Sequence, residues 1–176
     1  MSPVFYAMFY GANKSEPNEI EVPDVKEEAF LTVVKYLYYD AQDLNDENVL
    51  STLYASRKYM LPFLTQACVA YVVRNLKANN VFQILRQSTG YNEDGLTEKC
   101  LQLIDREAVT LLKSSDFLKV DLDILKRILQ RDTLRCPETS VFNAASNWAT
   151  AECMRQGMKE DQITAAIMLQ CVNTAR

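Results

Sequence analysis

Apolar positions recur along this chain mostly with the spacing of helices, interrupted at a few places by turn-forming residues. Ser2 and Pro3 stand as N-cap and first helical residue, and Val4, Phe5, Met8 and Phe9 then share one face until Gly11 stops the pattern. Residues 11–18 are polar and turn-forming, and read as an exposed loop. Ile20 and Val22 alternate with Glu19 and Glu21, which predicts a short half-buried strand ended by Pro23. Asp24 and Glu27 have capping-box spacing, and the helix after them carries Phe30, Val33, Val34, Leu37 and Tyr38 as its buried stripe.

A polar stretch from Asp43 to Asn48, with Asp46 as cap, leads into a helix through Val49, Leu50, Leu53 and Tyr54 to about Lys58. Pro62 sits in the first turn of the next helix, where its missing N–H costs nothing. That helix is apolar on two adjoining sides, with Phe63, Ala67, Ala70 and Tyr71 on one and Leu64, Cys68 and Val72 on the other. Wide burial with an exposed tyrosine-bearing edge is expected.

The pattern breaks at Asn75 and Asn79-Asn80, and a domain boundary is expected there as a tight joint, separating residues 1–76 from 77–176. Beyond it, helices are predicted over Val81 to Ser88 ending at Gly90, and over Leu96 to Glu107 with Cys100, Leu103 and Ile104 inward. A short piece lies around Leu111-Leu112, and a stripe of Leu122, Leu125, Ile128 and Leu129 follows Asp121 as cap. Pro137 then opens a longer helix with Val141, Phe142, Ala145, Trp148 and Ala149 on one face, ending near Gly157. Residues 159–176 add one more poorly patterned helix. The fold class is therefore mostly α, an α-helical bundle or stacked hairpins, with α+β character confined to the first portion.

Composition agrees with one substantial domain or two small ones: 176 residues, 48% hydrophobic, with four glycines and five prolines. Charge is spread as 23 acidic and 19 basic residues for a net −4, with no basic stripe, which argues against nucleic-acid binding. No apolar run reaches the roughly 18 residues of a membrane span, and no charged-then-apolar leader opens the chain. The opening Met1-Ser2-Pro3, passing at once into a helix, reads as cut into a larger protein.

Chemistry is sparsely provided. There is no histidine, which removes the commonest general base and zinc ligand. No catalytic, cofactor-binding or metal-ligating residue is assigned. Five widely spaced cysteines form no C-x-x-C pair, and three sit among apolar helical neighbours, as reduced core cysteines of a cytoplasmic or nuclear protein do. Cys136 precedes a helix start. N-capping is the reading preferred there, with a dipole-stabilised thiolate as the alternative.

The carboxylates Glu27-Glu28 and Asp43, Asp46 and Glu47 fall at helix starts, where the macrodipole accounts for them without a metal. Trp148 reads as core. The series Tyr36, Tyr38, Tyr39, Tyr54, Tyr59 and Tyr71 offers either a core edge with satisfied hydroxyls or, for those facing outward, a partner-binding rim.

Taken together, Ser2-Pro3-Val4-Phe5 with Ala7-Met8-Phe9, Ile20 to Val25, Ala29-Phe30, Tyr36-Leu37-Tyr38, and Tyr54-Ala55 with Lys58-Tyr59, Leu64 and Cys68 resemble the BTB (POZ) fold followed by a BACK domain. The second half is similar to BTB-BACK proteins that continue into a β-rich PHR domain, on Leu103-Ile104-Asp105, Asp116-Phe117, Trp148-Ala149 and Ala151-Glu152-Cys153 with Arg155-Gln156-Gly157. The resemblance implies a non-catalytic adaptor of a cullin-3 RING ubiquitin ligase, acting in ubiquitin conjugation by tethering an unknown substrate protein near the charged enzyme. It also implies that the family's N-terminal dimerisation helix and first strands, absent from this chain, belong to the full-length protein or are supplied by a partner, and that the full-length protein is a homodimer.

Carried over by resemblance, the cullin-interface candidates are Tyr10, Ala12, Tyr38, Tyr39, Asp40, Tyr59 and Phe63, with Asn80 and Gln83 from the BACK side. The loop departs from the family: cullin-binding members often carry a hydrophobic-x-Glu motif, and residues 11–18 offer only Lys14-Ser15-Glu16. A self-associating scaffold or transcriptional co-regulator that binds no cullin is the alternative.

Overall fold

The computed structural model describes residues 2–11, 22–91 and 93–156, and divides into two compact units, Met1–Asn75 and Leu76–Arg176. Among the described residues there are nine α-helices and no strand. The mostly helical class expected from the periodicity is therefore what the chain adopts. Residues 20 and 21 of the expected strand, Ala12, the Lys14-Ser15-Glu16 loop motif and the weak helix over 159–176 lie outside the described residues.

In the first unit, α1 (Pro3–Tyr10) begins as the sequence indicates. Ser2 is its N-cap, accepting the Phe5 N–H at 3.2 Å, and its hydroxyl also donates to the Tyr59 carbonyl at 2.6 Å. One buried side chain thus caps a helix and pins it to a distant turn. At the other end the Gly11 N–H bonds the Ala7 carbonyl, and a Cβ at Gly11 would lie 2.2 Å from that oxygen, so only glycine fits.

Helix α2 (Glu27–Tyr39) starts at Lys26 without a side-chain cap. Asp24 does not cap it, contrary to the capping-box spacing. Its carboxylate instead accepts hydrogen bonds from the Tyr54 hydroxyl, at 2.7 Å, and from Lys58. The buried face is also rotated from the one expected: Ala29, Thr32 and Val33 are inward, Phe30 and Val34 half-buried, while Leu37 and Tyr38 are exposed. Apolar residues nearly encircle the second half of this helix, so periodicity alone leaves its rotation free. Thr32 is tolerated inside because its hydroxyl donates to the Glu28 carbonyl at 2.9 Å.

Helices α3 (Val49–Lys58) and α4 (Pro62–Arg74) form an antiparallel pair. The turn before α3 is built by asparagines: Asn45 Oδ1 accepts the Glu47 and Asn48 N–H groups, and Asn48 Oδ1 accepts that of Asn45, each at 2.9 Å. Asp46, the expected cap, instead accepts the Tyr71 hydroxyl at 3.1 Å. Burial on α4 is narrower than expected. Leu64, Cys68 and Val72, four residues apart, are buried as α4 packs on α3, where Leu53 and Ala55 are buried too, whereas Phe63 is 71% exposed. Each leucine sealed in that seam contributes about 1.5–3 kcal/mol.

In the second unit α5 (Val81–Gly90) and α6 (Asp94–Arg106) form another hairpin, joined inside by the Thr97 hydroxyl donating to Ser88 Oγ at 2.9 Å. A short α7 (Ala108–Leu111) and a 3-10 turn (Phe117–Lys119) lead to α8 (Leu122–Leu129) and the long α9 (Glu138–Gln156). Carbonyls at the end of the 3-10 segment and just after it are claimed one after another: Leu118 by Arg155 at 2.7 Å, Lys119 by Arg86 at 2.8 Å and Val120 by the Trp148 indole at 2.9 Å. Trp148 is a core residue, as expected, 2% exposed. Phe142, expected on the same buried face, is 52% exposed, and Asp121 pairs with Arg86 at 3.2 Å instead of capping α8 through its side chain.

A polar clasp closes this unit. Asp105 accepts two hydrogen bonds from Arg131 Nε, a third from Arg131 Nη2 at 2.7 Å and a fourth from the Thr133 hydroxyl at 2.7 Å, and Glu98 holds the outer side of the same guanidinium. Burial pushes the Asp105 carboxyl up, but the Arg131 and Thr133 hydrogen bonds and the Arg131 and Arg135 charges together outweigh it and bring it below the usual carboxylate range. Its folded value lies below its unfolded one, so the stabilisation is complete at neutral pH and is lost as pH falls from about 4 through the folded value. Asp105→Asn is expected to lower the unfolding free energy at pH 7 by about 2–3 kcal/mol. It should also flatten the acid limb of the stability curve, as measured by urea denaturation across pH.

Candidate interaction surface

The first unit leaves an unusual number of large aromatic side chains in solvent. Tyr10 at the end of α1 is 76% exposed, Tyr38 and Tyr39 at the end of α2 are 79% and 80% exposed, and Phe63 opens α4. Asp40, also exposed, ends α2 in the left-handed conformation with φ 55°. Gln83 is exposed on α5, and Asn80 is the half-buried residue before that helix, its Oδ1 accepting the Lys77 N–H at 2.8 Å. Of the nine candidates, Ala12 lies outside the described residues.

Tyr59 requires a correction. It is 1% exposed, its ring stacked on Phe5 with centroids 4.3 Å apart and edge-on to Phe30 at 6.0 Å, so it offers nothing to a partner. Burial pushes its phenol up, and its hydroxyl has no hydrogen-bond partner among the described residues. The signal was available, because Thr52, Ala55 and Tyr59 repeat at i, i+3 and i+7 and all three are buried.

The neighbouring residue was not singled out by periodicity. Met60 follows the end of α3 with φ 53°, donates its N–H to the Arg57 carbonyl at 3.0 Å, and precedes Leu61, whose N–H reaches the Ser56 carbonyl at 2.8 Å. This is a Schellman-type stop whose left-handed position normally holds glycine. A methionine there is strained, and its side chain is 61% exposed. It lies on the edge of a mostly apolar groove of about 490 Å³, lined also by Pro3, Leu61, Pro62 and Thr65. A second apolar cleft, about 320 Å³, lies between α1 and α2 against Phe5, Phe9, Val25 and Phe30.

Polar side chains around these surfaces are consumed in structure. Lys58 holds Asp24 and drives its carboxyl down, with help from Tyr54, while its own ammonium is pushed up by the same contact. Asp43 pairs with Lys35 at 3.0 Å. Burial, together with the hydrogen bond to Asp46, raises the Tyr71 phenol. Among the described residues no three His, Cys, Asp or Glu side chains are placed to hold a metal ion. Cys68, Cys100, Cys136 and Cys153 form no disulfide; burial raises Cys100 to about 12 and also raises Cys136, which favours the neutral thiol over a thiolate there. No described helix is long and apolar enough to cross a membrane.

Helical hairpins with several large aromatic side chains in solvent are a scaffold suited to contacts between proteins. Residues 1–76 match the family profile described as BTB/POZ domain, and residues 81–175 match the one described as BTB And C-terminal Kelch; the chain belongs to the BTB-BACK family. Proteins built from these domains are generally non-catalytic and mediate contacts between proteins. The chain is similar to BTB/POZ domain-containing protein 6 of Xenopus tropicalis, 47% identical over 89% of this chain, and to BTB/POZ domain-containing protein 3 of Homo sapiens, 45% identical over the same share. It spans about 30% of the length of these relatives.

Two substitutions separate scaffold from surface. Met60→Gly is expected to raise the unfolding free energy by about 1 kcal/mol, because glycine adopts the left-handed position without strain. Tyr59→Ala is expected to cost about 3–5 kcal/mol as an aromatic core deletion. Thermal and urea unfolding of the two variants against the parent chain checks both.

Proposed function

We propose that this chain is part of a substrate adaptor of a cullin-3 RING ubiquitin ligase, with residues 1–76 as the portion of a BTB domain that meets the cullin and residues 77–176 as a BACK domain. In this reading the adaptor works in the cytoplasm or nucleus as a homodimer of the full-length protein and performs no chemistry itself. It raises the local concentration of a substrate near the ubiquitin-charged enzyme, so what it needs is a durable docking face. The observation that carries the reading is the exposure of Tyr10, Tyr38, Tyr39 and Phe63, large amphipathic or aromatic side chains of the type that anchors interfaces, together with Met60 and the apolar groove it lines. The buried free thiols support a reducing compartment. The sequence of the 11–18 loop, which lacks a hydrophobic-x-Glu motif, is what favours the second reading, a self-associating scaffold that binds no cullin.

Calorimetric titration of the parent protein with the N-terminal region of cullin-3 distinguishes them. Phe63→Ala and Tyr38→Ala are each expected to cost about 1 kcal/mol or more of binding, roughly a fivefold loss, while leaving the unfolding midpoint nearly unchanged. Absence of binding by the unmutated protein at tens of micromolar overturns the adaptor reading.

A further inference from the structure

We propose that Tyr39 is a phosphorylation site whose modification loosens the end of α2 and turns the docking rim off; the second half of this inference rests on the adaptor reading above. Tyr39 is 80% exposed, and its hydroxyl makes no hydrogen bond among the described residues, unlike Tyr54 and Tyr71, whose phenols are held by Asp24 and Asp46. It is also the last residue of its helix. Asp40 follows in the left-handed conformation with its N–H on the Tyr36 carbonyl at 2.9 Å, and residues 41–45 have no regular structure. A tyrosine kinase takes its substrate extended, so fraying of one terminal turn presents this phenol, with Asp40 and Asp43 beside it for a basic substrate groove.

The phenolic oxygen attacks the γ-phosphorus of ATP, the bond to the β-phosphate oxygen breaks, ADP leaves, and the phenolic proton passes to the kinase base. The chain gains about 1.5–2 negative charges at a helix C-terminus, where the backbone dipole is already negative and Asp40 adds like charge. Lys35, one turn back on α2, holds Asp43 through an exposed pair at 3.0 Å, and the new dianion at the i+4 position competes for it. The last turn of α2 and the tether of the segment after it weaken together, and a dianion replaces the phenol on the rim.

The test treats the chain with a recombinant acid-directed tyrosine kinase, ATP and Mg²⁺, and compares it with a mock sample lacking ATP and with a phosphatase-treated sample. Mass spectrometry is expected to place the main phosphate on Tyr39, with Tyr39→Phe losing it. Amide exchange at residues 36–40 should accelerate, and affinity for the cullin-3 N-terminal region should fall at least tenfold and return with phosphatase. Modification of Tyr39 only after denaturation, or a phosphorylated chain with unchanged exchange and unchanged affinity, overturns the proposal. If the mock sample itself fails to bind cullin-3, it is the adaptor reading that fails. Amide exchange then decides the local switch alone, and unchanged exchange overturns it.

Discussion

The first unit is organised around one residue at a helix end. Tyr59 sets its ring against both Phe5 and Phe30, and its carbonyl accepts the Ser2 hydroxyl, so α1, α2 and the turn from α3 to α4 all meet on it. Because the ring must point inward, the chain has to reverse immediately afterwards. That reversal places Met60 in a left-handed conformation and turns Phe63 outward. Burial and exposure are therefore tied together here: the same few residues that close the core leave Met60 and Phe63 in solvent. Exposure of Met60 comes at a cost in stability, since methionine occupies a position where glycine would be less strained.

The second unit solves a different problem. Its turns and short helices between α6 and α9 have little regular structure of their own, and polar groups hold them. Three successive carbonyls, at the end of the 3-10 segment and on Val120 just after it, are taken by Arg155, Arg86 and Trp148, and Asp105 gathers Arg131 and Thr133 across more than twenty residues of chain. A buried carboxylate is costly unless its lone pairs are filled, and here four hydrogen bonds fill them. The clasp therefore orders a loop-rich region that hydrophobic burial alone would leave loose.

The first unit divides its labour among tyrosines and acids. Asp24 and Asp46, which spacing presents as helix caps, instead receive tyrosine hydroxyls from helices packed against them, while asparagines take over the local turn. A carboxylate near a helix start can serve either the backbone of its own helix or a donor arriving from another. The second choice becomes visible only once the helices are assembled. Tyr6, Tyr10, Tyr38 and Tyr39, by contrast, stand in solvent.

Residue type and periodicity along the chain determined where the helices run, the N-cap at Ser2, the stop at Gly11 and the core role of Trp148. These depend on residue type and spacing along one chain, which is local information. Helix rotation was decided by the tertiary structure. α2 is apolar nearly all round and could have buried Leu37 and Tyr38, and only its packing on α3 chose Ala29, Thr32 and Val33. Packing likewise took Tyr59 out of the candidate surface and put Met60 into it. A one-residue step along a helix turns a side chain by about 100°, so a site made of outward-facing residues depends on which face the neighbouring helices cover.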